Sequence, residues 1–279
     1  MIDLSLLKSE IEASTGVYSE LRYQENIDIR LTLLNGQLVT NLQEASKGVS
    51  ARAFSDGYWG FSSHISPTRD AAAKALKEAI RNATFLSTRK QKIASLASAR
   101  SINFEKSYVS SRAPMAVSAW IDFLKDIDAL ITSKCKDLKS RSISLAALDM
   151  EKRFLTSEGS TIYTFVPRAH LRVSMTKDSK HGPVQAMDSL GGLGQLQDQI
   201  VPDPNTYTAW LDQIYKIVTE KSEGVLPDSG VHDVILASDL AGILAHEAVG
   251  HTPEADLVLG GSVAGDYLNL QVASPLVWG

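Results

Sequence analysis

Polar and apolar residues alternate over much of the stretch 19–64, which predicts a β-meander. Asn35-Gly36 interrupts the alternation, and this dipeptide is typical of the tight turn between two antiparallel strands. Lys47-Gly48 predicts a second turn, and Asp56-Gly57 precedes an aromatic run that predicts a last strand. The stretch is therefore expected to hold about four strands. The apolar positions of the first strand are Ile27, Ile29, Leu31 and Leu33.

Apolar residues spaced three and four apart predict four helices that each bury one face. Ser66-Pro67 is a favoured helix start, because a hydroxyl cap precedes a proline in the first turn. Pro114 and Pro204 begin two further helices, and Asp3 can cap a short helix at the N-terminus. The predicted core positions are Leu4, Leu7 and Ile11; Ala72, Ala75, Leu76, Ala79, Ile80 and Ala83; Trp120, Phe123, Leu124, Ile127, Leu130 and Ile131; and Trp210, Ile214, Ile217 and Val218.

Strands are expected to resume at about Ser142, with a hairpin turn at 157–160 and a further strand over 168–176. The stretches 87–111 and 177–204 are rich in small and polar residues, which predicts a linker and a set of loops. The sequence therefore predicts an α+β fold, in which helices pack on antiparallel sheets.

A domain boundary is predicted near Gly224, where the third long helix ends. Residues 1–224 then form an N-terminal α+β domain, and residues 225–279 form the start of a second domain. In the second domain, a strand at Val231–Ala237 is expected to lead into a capped helix from Ser238 to about Gly250. The apolar residues expected to pack inward from that helix are Leu240, Ile243 and Leu244.

Composition and charge narrow the functional classes. The formal net charge of -4 and the pI near 5.9 provide no electrostatic footprint for nucleic acid or for an anionic membrane. No apolar run approaches the roughly 18 residues that a membrane helix needs, and the N-terminus lacks the order of a signal peptide. A single cysteine, Cys135, excludes an intramolecular disulfide. A cytoplasmic protein without nucleic-acid or membrane partners is the prediction.

The segment with candidate chemistry is His246-Glu247-Ala248-Val249-Gly250-His251. Two histidines and a glutamate suit a zinc site, with His246 and His251 as ligands and Glu247 as the general base. On a regular helix, however, residues five apart differ by about 140° in direction, whereas residues four apart differ by about 40°. The two histidines can therefore face one metal only if the helix ends or distorts between them. Gly250 is where such a distortion costs the least conformational energy, because glycine has no Cβ. The competing interpretation is a chance pattern of structural histidines.

The longer motif resembles the TldD-type metallopeptidases of the TldD/PmbA family. The resemblance is carried by the run 246–256, which continues from His251 as Thr-Pro-Glu-Ala-Asp, and by the preceding run 239–245. Supporting marks are Asp56-Gly57-Tyr58-Trp59-Gly60-Phe61, Ser157-Glu158-Gly159 and Pro275-Leu276-Val277. Because the partner branch of the family lacks the motif, the chain resembles the catalytic branch.

This resemblance implies a zinc-dependent peptidase that hydrolyses short or unfolded peptides, using a zinc-activated water and a glutamate base. By position, His246 and His251 become the zinc ligands and Glu247 the base, and residues 225–279 become the start of a metallopeptidase domain. The resemblance also implies a dimer that encloses the site, either a homodimer or a heterodimer with a related subunit.

The chain departs from the family pattern at the third ligand. Family members are longer and take a cysteine far downstream of the motif, whereas this chain stops at Gly279, so a C-terminal truncation is expected. Cys135 lies far upstream and is favoured as a structural residue. Glu254 and Asp256 are competent ligands, but they are favoured as residues that orient the histidines or solvate a loop.

Two alternative functions stay open on the sequence. The first is a catalytically incomplete fragment that serves as a dimerisation or peptide-binding module, and zinc stoichiometry separates it from the peptidase. The second is nucleic-acid binding, which the family's former association with DNA gyrase suggests and the acidic pI disfavours.

Overall fold

The structure is a computed structural model that describes residues 4–13, 17–88, 101–259 and 261–272. The chain folds into two compact units, Met1–Val225 and Leu226–Gly279. The predicted helix cap Asp3, the side chain of Leu4 and the supporting motif Pro275-Leu276-Val277 lie outside what the structure describes.

The first unit is built on an eight-stranded sheet, which confirms the mixed α+β class. The strand order is β3-β2-β1-β5-β6-β4, while β7 pairs with the other half of β5 and β8 pairs with β7. Neighbours are antiparallel except β4 and β6, so there is one mostly antiparallel sheet. The strands are β1 Tyr18–Leu34, β2 Gln37–Ser55, β3 Tyr58–His64, β4 Asn103–Ser107, β5 Ser140–Thr156, β6 Thr161–Phe165, β7 Arg168–Ser179 and β8 Gly182–Leu193.

The helices of the first unit pack on the sheet, and two further helices of the described residues belong to the second unit. Within the described residues, no helix is both long and apolar enough to cross a membrane. The helices are α1 Leu4–Glu12, α2 Arg69–Ser87, α3 Val117–Lys134, α4 Leu196–Gln199, α5 Thr208–Glu223, α6 Ser238–Ala245 and α7 Ala255–Leu259, with 3₁₀ turns at Pro204–Tyr207 and Val263–Tyr267.

Two apolar clusters lie on the same face of the sheet. The first packs α1 and α2 against strand residues that include Leu21, and the second packs α3 and α5 against residues that include Leu31. Leu21 and Leu31 are an even number of positions apart on β1, and side chains alternate between faces along a strand, so both clusters share one face. The predicted core positions Ala75, Leu124 and Val218 are all buried.

Several predictions about the strands are wrong because tertiary pairing overrides local turn signals. Lys47-Gly48 is not a turn, since Gly48 pairs with Gln24 in an unbroken ladder between β1 and β2. The predicted loop over 177–204 contains β8 and α4. β8 pairs with one strand only and keeps most side chains exposed, which explains its polar sequence. Likewise β4, with all five residues exposed, lies within the predicted linker.

The predicted strand at Val231–Ala237 is also wrong. Val231 and Ile235 are fully exposed, and no strand of the described residues pairs with this segment. A strand needs a hydrogen-bonded neighbour, because its backbone groups have no partners within the strand itself. The segment 231–237 therefore forms neither a strand nor a helix.

Some helix details differ from prediction. The cap of α2 is Thr68, whose hydroxyl accepts from the Ala71 N–H at 3.2 Å, and not Ser66. In α5 the buried face includes Leu211, while the predicted core residue Ile217 is exposed. The first residue of a helix and the set of residues on its buried face both change when the helix boundary shifts by one or two residues.

One partly buried ion pair links α3 to the sheet and gives a stability prediction. Asp128 accepts from Arg141 Nε at 2.7 Å and from Arg141 Nη2 at 2.8 Å. Asp128→Asn should therefore lower the free energy of unfolding by about 2–3 kcal/mol, because it leaves the guanidinium without its charged partner. Urea unfolding of the variant and of Asp126→Asn, an exposed position on the same helix, measures the difference. Equal losses of unfolding free energy in the two variants would show that the ion pair contributes nothing beyond one negative charge on α3.

Candidate metal centre

A π-helical turn lies between the two motif histidines. α6 ends at Ala245, and residues His246–Gly250 continue as a π turn. The turn closes with a hydrogen bond from the His251 N–H to the His246 carbonyl oxygen at 2.7 Å, which joins residues five apart. The helix distortion that the spacing requires is therefore present. It extends over the whole turn, whereas the sequence suggested Gly250 alone.

The π turn brings the two predicted ligand histidines side by side. The ring centroids of His246 and His251 are 5.4 Å apart, and the ring planes differ by 26°. A regular helix would direct these side chains about 140° apart. Both residues are exposed, so the rings open to solvent.

Glu254 joins the two histidines. Its Oε1 lies 3.0 Å from His251 Nδ1, and one donor atom from each of His246, His251 and Glu254 lies within 4.8 Å of the others. The hydrogen bond to Glu254 raises the pKa of His251, and the charges of Glu254, Glu247 and Asp256 raise it further. The sequence signal for this contact is the three-residue spacing between His251 and Glu254, which brings two side chains together on a turn.

The other candidate residues lie outside this cluster of donor atoms. Glu247 is exposed in the π turn, near enough for its charge to raise the pKa of His251. The Asp256 carboxylate accepts a hydrogen bond from the Leu257 N–H at 2.9 Å, at the start of α7. Cys135 is buried at the end of α3 in the first unit, where burial raises the pKa of its thiol and disfavours the thiolate that binds metals.

The donor set fits a zinc ion. Two imidazoles and a carboxylate are ligands that zinc commonly takes. Neighbouring ligands on a tetrahedral zinc are about 3.4 Å apart, which is closer than the 4.8 Å limit of this cluster. The His251 and Glu254 side chains are 50% and 43% exposed, so this side of the cluster faces solvent.

The surroundings of the motif are open and apolar. A cleft of about 440 Å³ is lined by residues that include Ala248 and Val249 of the π turn and Tyr267 of the following 3₁₀ turn. The predicted inward packing of Leu240, Ile243 and Leu244 is wrong for the described residues, since each is more than half exposed. The Ser238 cap is also wrong, because α6 has Ala237 at its N-cap position and no side-chain cap.

Comparison with known proteins gives consistent matches. Residues 19–83 match domain 1 of the PmbA/TldA metallopeptidases. A metalloprotease of Methanocaldococcus jannaschii is 26% identical over 98% of this chain and 60% of its own length. A zinc metalloprotease TldD homolog of Saccharolobus solfataricus is 28% identical over 51% of this chain and 31% of its own length. This chain therefore spans little more than half the length of the first relative.

A solved structure supports the fold. A protein of Thermotoga maritima, described as a candidate modulator of DNA gyrase, superposes with a TM-score of 0.59 at 14% identity. The match covers 82% of this chain and 50% of that one. Taken together, the matches define an α+β protein with the first-domain architecture of the PmbA/TldA metallopeptidases. Residues 19–83 are therefore similar to that first domain, and most of the chain is similar to relatives named metalloproteases.

Proposed function

We propose that this chain carries part of the catalytic centre of a zinc-dependent peptidase that acts on short or unfolded peptides. His246 and His251 are the proposed zinc ligands, and Glu247 is the proposed general base. The observation that carries the proposal is the π turn, because it places two histidines five residues apart on one face of the helix. Such turns occur frequently at functional sites. Relatives named metalloprotease and zinc metalloprotease support the peptidase and the metal in this proposal, and the peptide class is our inference.

Each residue has a distinct task in this proposal. When bound, zinc supplies Lewis acidity, which activates water and polarises a carbonyl group. The two imidazoles would hold the ion at the end of α6, where the π turn positions both side chains. Glu247 accepts the proton that the attacking water loses, a role suited to an exposed carboxylate next to a ligand.

A third protein ligand is needed for a catalytic zinc site of the usual kind. Within the described residues, Glu254 is the further donor that reaches the two histidines. The family resemblance implies a cysteine elsewhere. A polypeptide of these 279 residues is therefore proposed to bind zinc more readily than it hydrolyses peptides.

Zinc stoichiometry tests the proposal. The purified chain should bind one zinc ion, and both His246→Ala and His251→Ala should remove this binding. His232→Ala is the matched control, because His232 is another exposed histidine of the same unit. Isothermal titration and metal analysis after dialysis provide the readout. A wild-type chain without tight zinc, or binding unchanged in both motif variants, would refute the assignment.

A second candidate, a peptide-binding or dimerisation module without catalysis, is favoured by the exposed apolar residues of α6. The same titration separates the two, since a pure binding module requires no zinc. The homodimer or heterodimer, the domain division at residue 224 and the cytoplasmic location stay predictions.

A further inference from the structure

The carboxylate of Glu254 lies against the Nδ1 edge of the His251 ring. Oε1 lies 3.0 Å from Nδ1, and two hydrogen bonds restrain the backbone of Glu254. Its N–H donates to the His251 carbonyl oxygen at 3.2 Å, and its own carbonyl oxygen accepts from the Val258 N–H at 2.9 Å. Pro253, directly before it, restricts the backbone further. The backbone of Glu254 is therefore restrained both toward His251 and toward α7.

This contact determines which ring nitrogen can bind a metal. A neutral imidazole carries one proton, and the nitrogen without the proton offers the lone pair. A carboxylate hydrogen-bonded at Nδ1 favours the proton there, which leaves Nε2 as the metal-binding atom. Metal-ligating histidines almost always donate their other ring N–H to such a partner.

We propose that Glu254 is a positioning residue that holds His251 in the Nδ1–H tautomer and directs Nε2 toward the zinc ion. This inference rests on the proposed function. In this arrangement Glu254 acts through His251, and not as the third donor that the distances alone would also allow. Its oxygen lies at the Nδ1 edge of the ring, and a metal bound at Nε2 lies beyond the opposite edge.

Asp256 provides the matched control. It carries the same charge and lies two residues further along the chain, but its carboxylate accepts the Leu257 N–H. Asp256→Asn therefore removes one negative charge near the site without removing the hydrogen-bond partner of His251. Glu254→Ala removes that partner, and Glu254→Gln keeps an acceptor oxygen without the charge.

Nitrogen-15 NMR of the metal-free 279-residue chain reads the tautomer directly, at an alkaline pH where imidazoles are neutral. His251 should be in the Nδ1–H form in the wild type and in Asp256→Asn. It should shift toward Nε2–H in Glu254→Ala, and Glu254→Gln should restore part of the preference. Titration with zinc alone should show affinity about 10–100-fold weaker for Glu254→Ala and nearly unchanged for Asp256→Asn.

The outcomes separate this inference from the proposed function. An Nε2–H tautomer in the metal-free wild type, or zinc bound through Nδ1, would overturn the role of Glu254 even with tight zinc binding. Unchanged zinc affinity in Glu254→Ala would overturn it as well. A wild-type chain that binds no zinc would instead refute the proposed function.

Discussion

Glu247→Gln should leave zinc binding intact and lower peptide hydrolysis by about 10²–10⁴-fold, the usual contribution of a general acid-base group. Glutamine keeps the size of the side chain but cannot accept a proton from water at neutral pH. The π turn should be unaffected, because Glu247 is exposed there and its backbone, not its side chain, forms the helix. The effect should therefore appear in kcat.

The measurement combines zinc titration with chelator-sensitive turnover of a fluorogenic peptide, in a form of the protein with measurable activity. Asp239→Asn is the control, since it removes one negative charge in the first turn of α6 and lies outside the segment 246–251 that holds the proposed ligands and base. Turnover equal to the parent would remove Glu247 from the mechanism. Loss of zinc together with turnover would instead make Glu247 part of the metal site.

Gly60→Ala should destabilise the first unit by about 3 kcal/mol, at the upper end of the usual cost of overpacking. A Cβ at Gly60 would lie 2.1 Å from the Ala79 carbonyl oxygen and 2.3 Å from the Ala83 nitrogen, both in α2. These are backbone atoms of a packed helix, so no side-chain rotation can relieve the clash. The helix itself would have to move off β3.

Urea unfolding, followed by circular dichroism, measures this loss of stability. Gly192→Ala is the matched control, because the atom nearest to its added Cβ is the end of the Gln199 side chain at 3.3 Å. That variant should change the free energy of unfolding much less, as a flexible side chain can move aside. Similar losses for both would show that α2 does not need its close approach to Gly60.

The parts of the fold that follow from short-range signals were predictable. Asn35 and Gly36 have φ values of 50° and 79°, as a tight hairpin turn requires, and the apolar spacing in α2 and α3 matches their buried faces. β2 was predicted to break at Lys47-Gly48 and β8 was predicted to be a loop, although β2 pairs along its length with β1 and β8 pairs with β7. A polar edge strand carries no local pattern that separates it from a loop.

For the candidate site, the local backbone geometry was predictable from the sequence and the side-chain contacts were not. The five-residue spacing of His246 and His251 required a distorted helix, and the structure contains one. The spacing could not specify a π turn, since a helix end would also reorient His251. The contact of Glu254 with one particular nitrogen depends on side-chain conformation, which spacing alone does not determine.

The π turn also bears on how the motif could change length. A π turn is an α-helical turn that has gained one residue, and its backbone bond already spans His246 to His251. Deleting Ala248 or Val249 would reduce the separation to four, and a regular helix places residues four apart only about 40° from each other. Inserting a residue would require a wider loop that neither helix type provides. Within related chains, shortening of this segment should therefore be compatible with a paired-histidine site, whereas lengthening should abolish it.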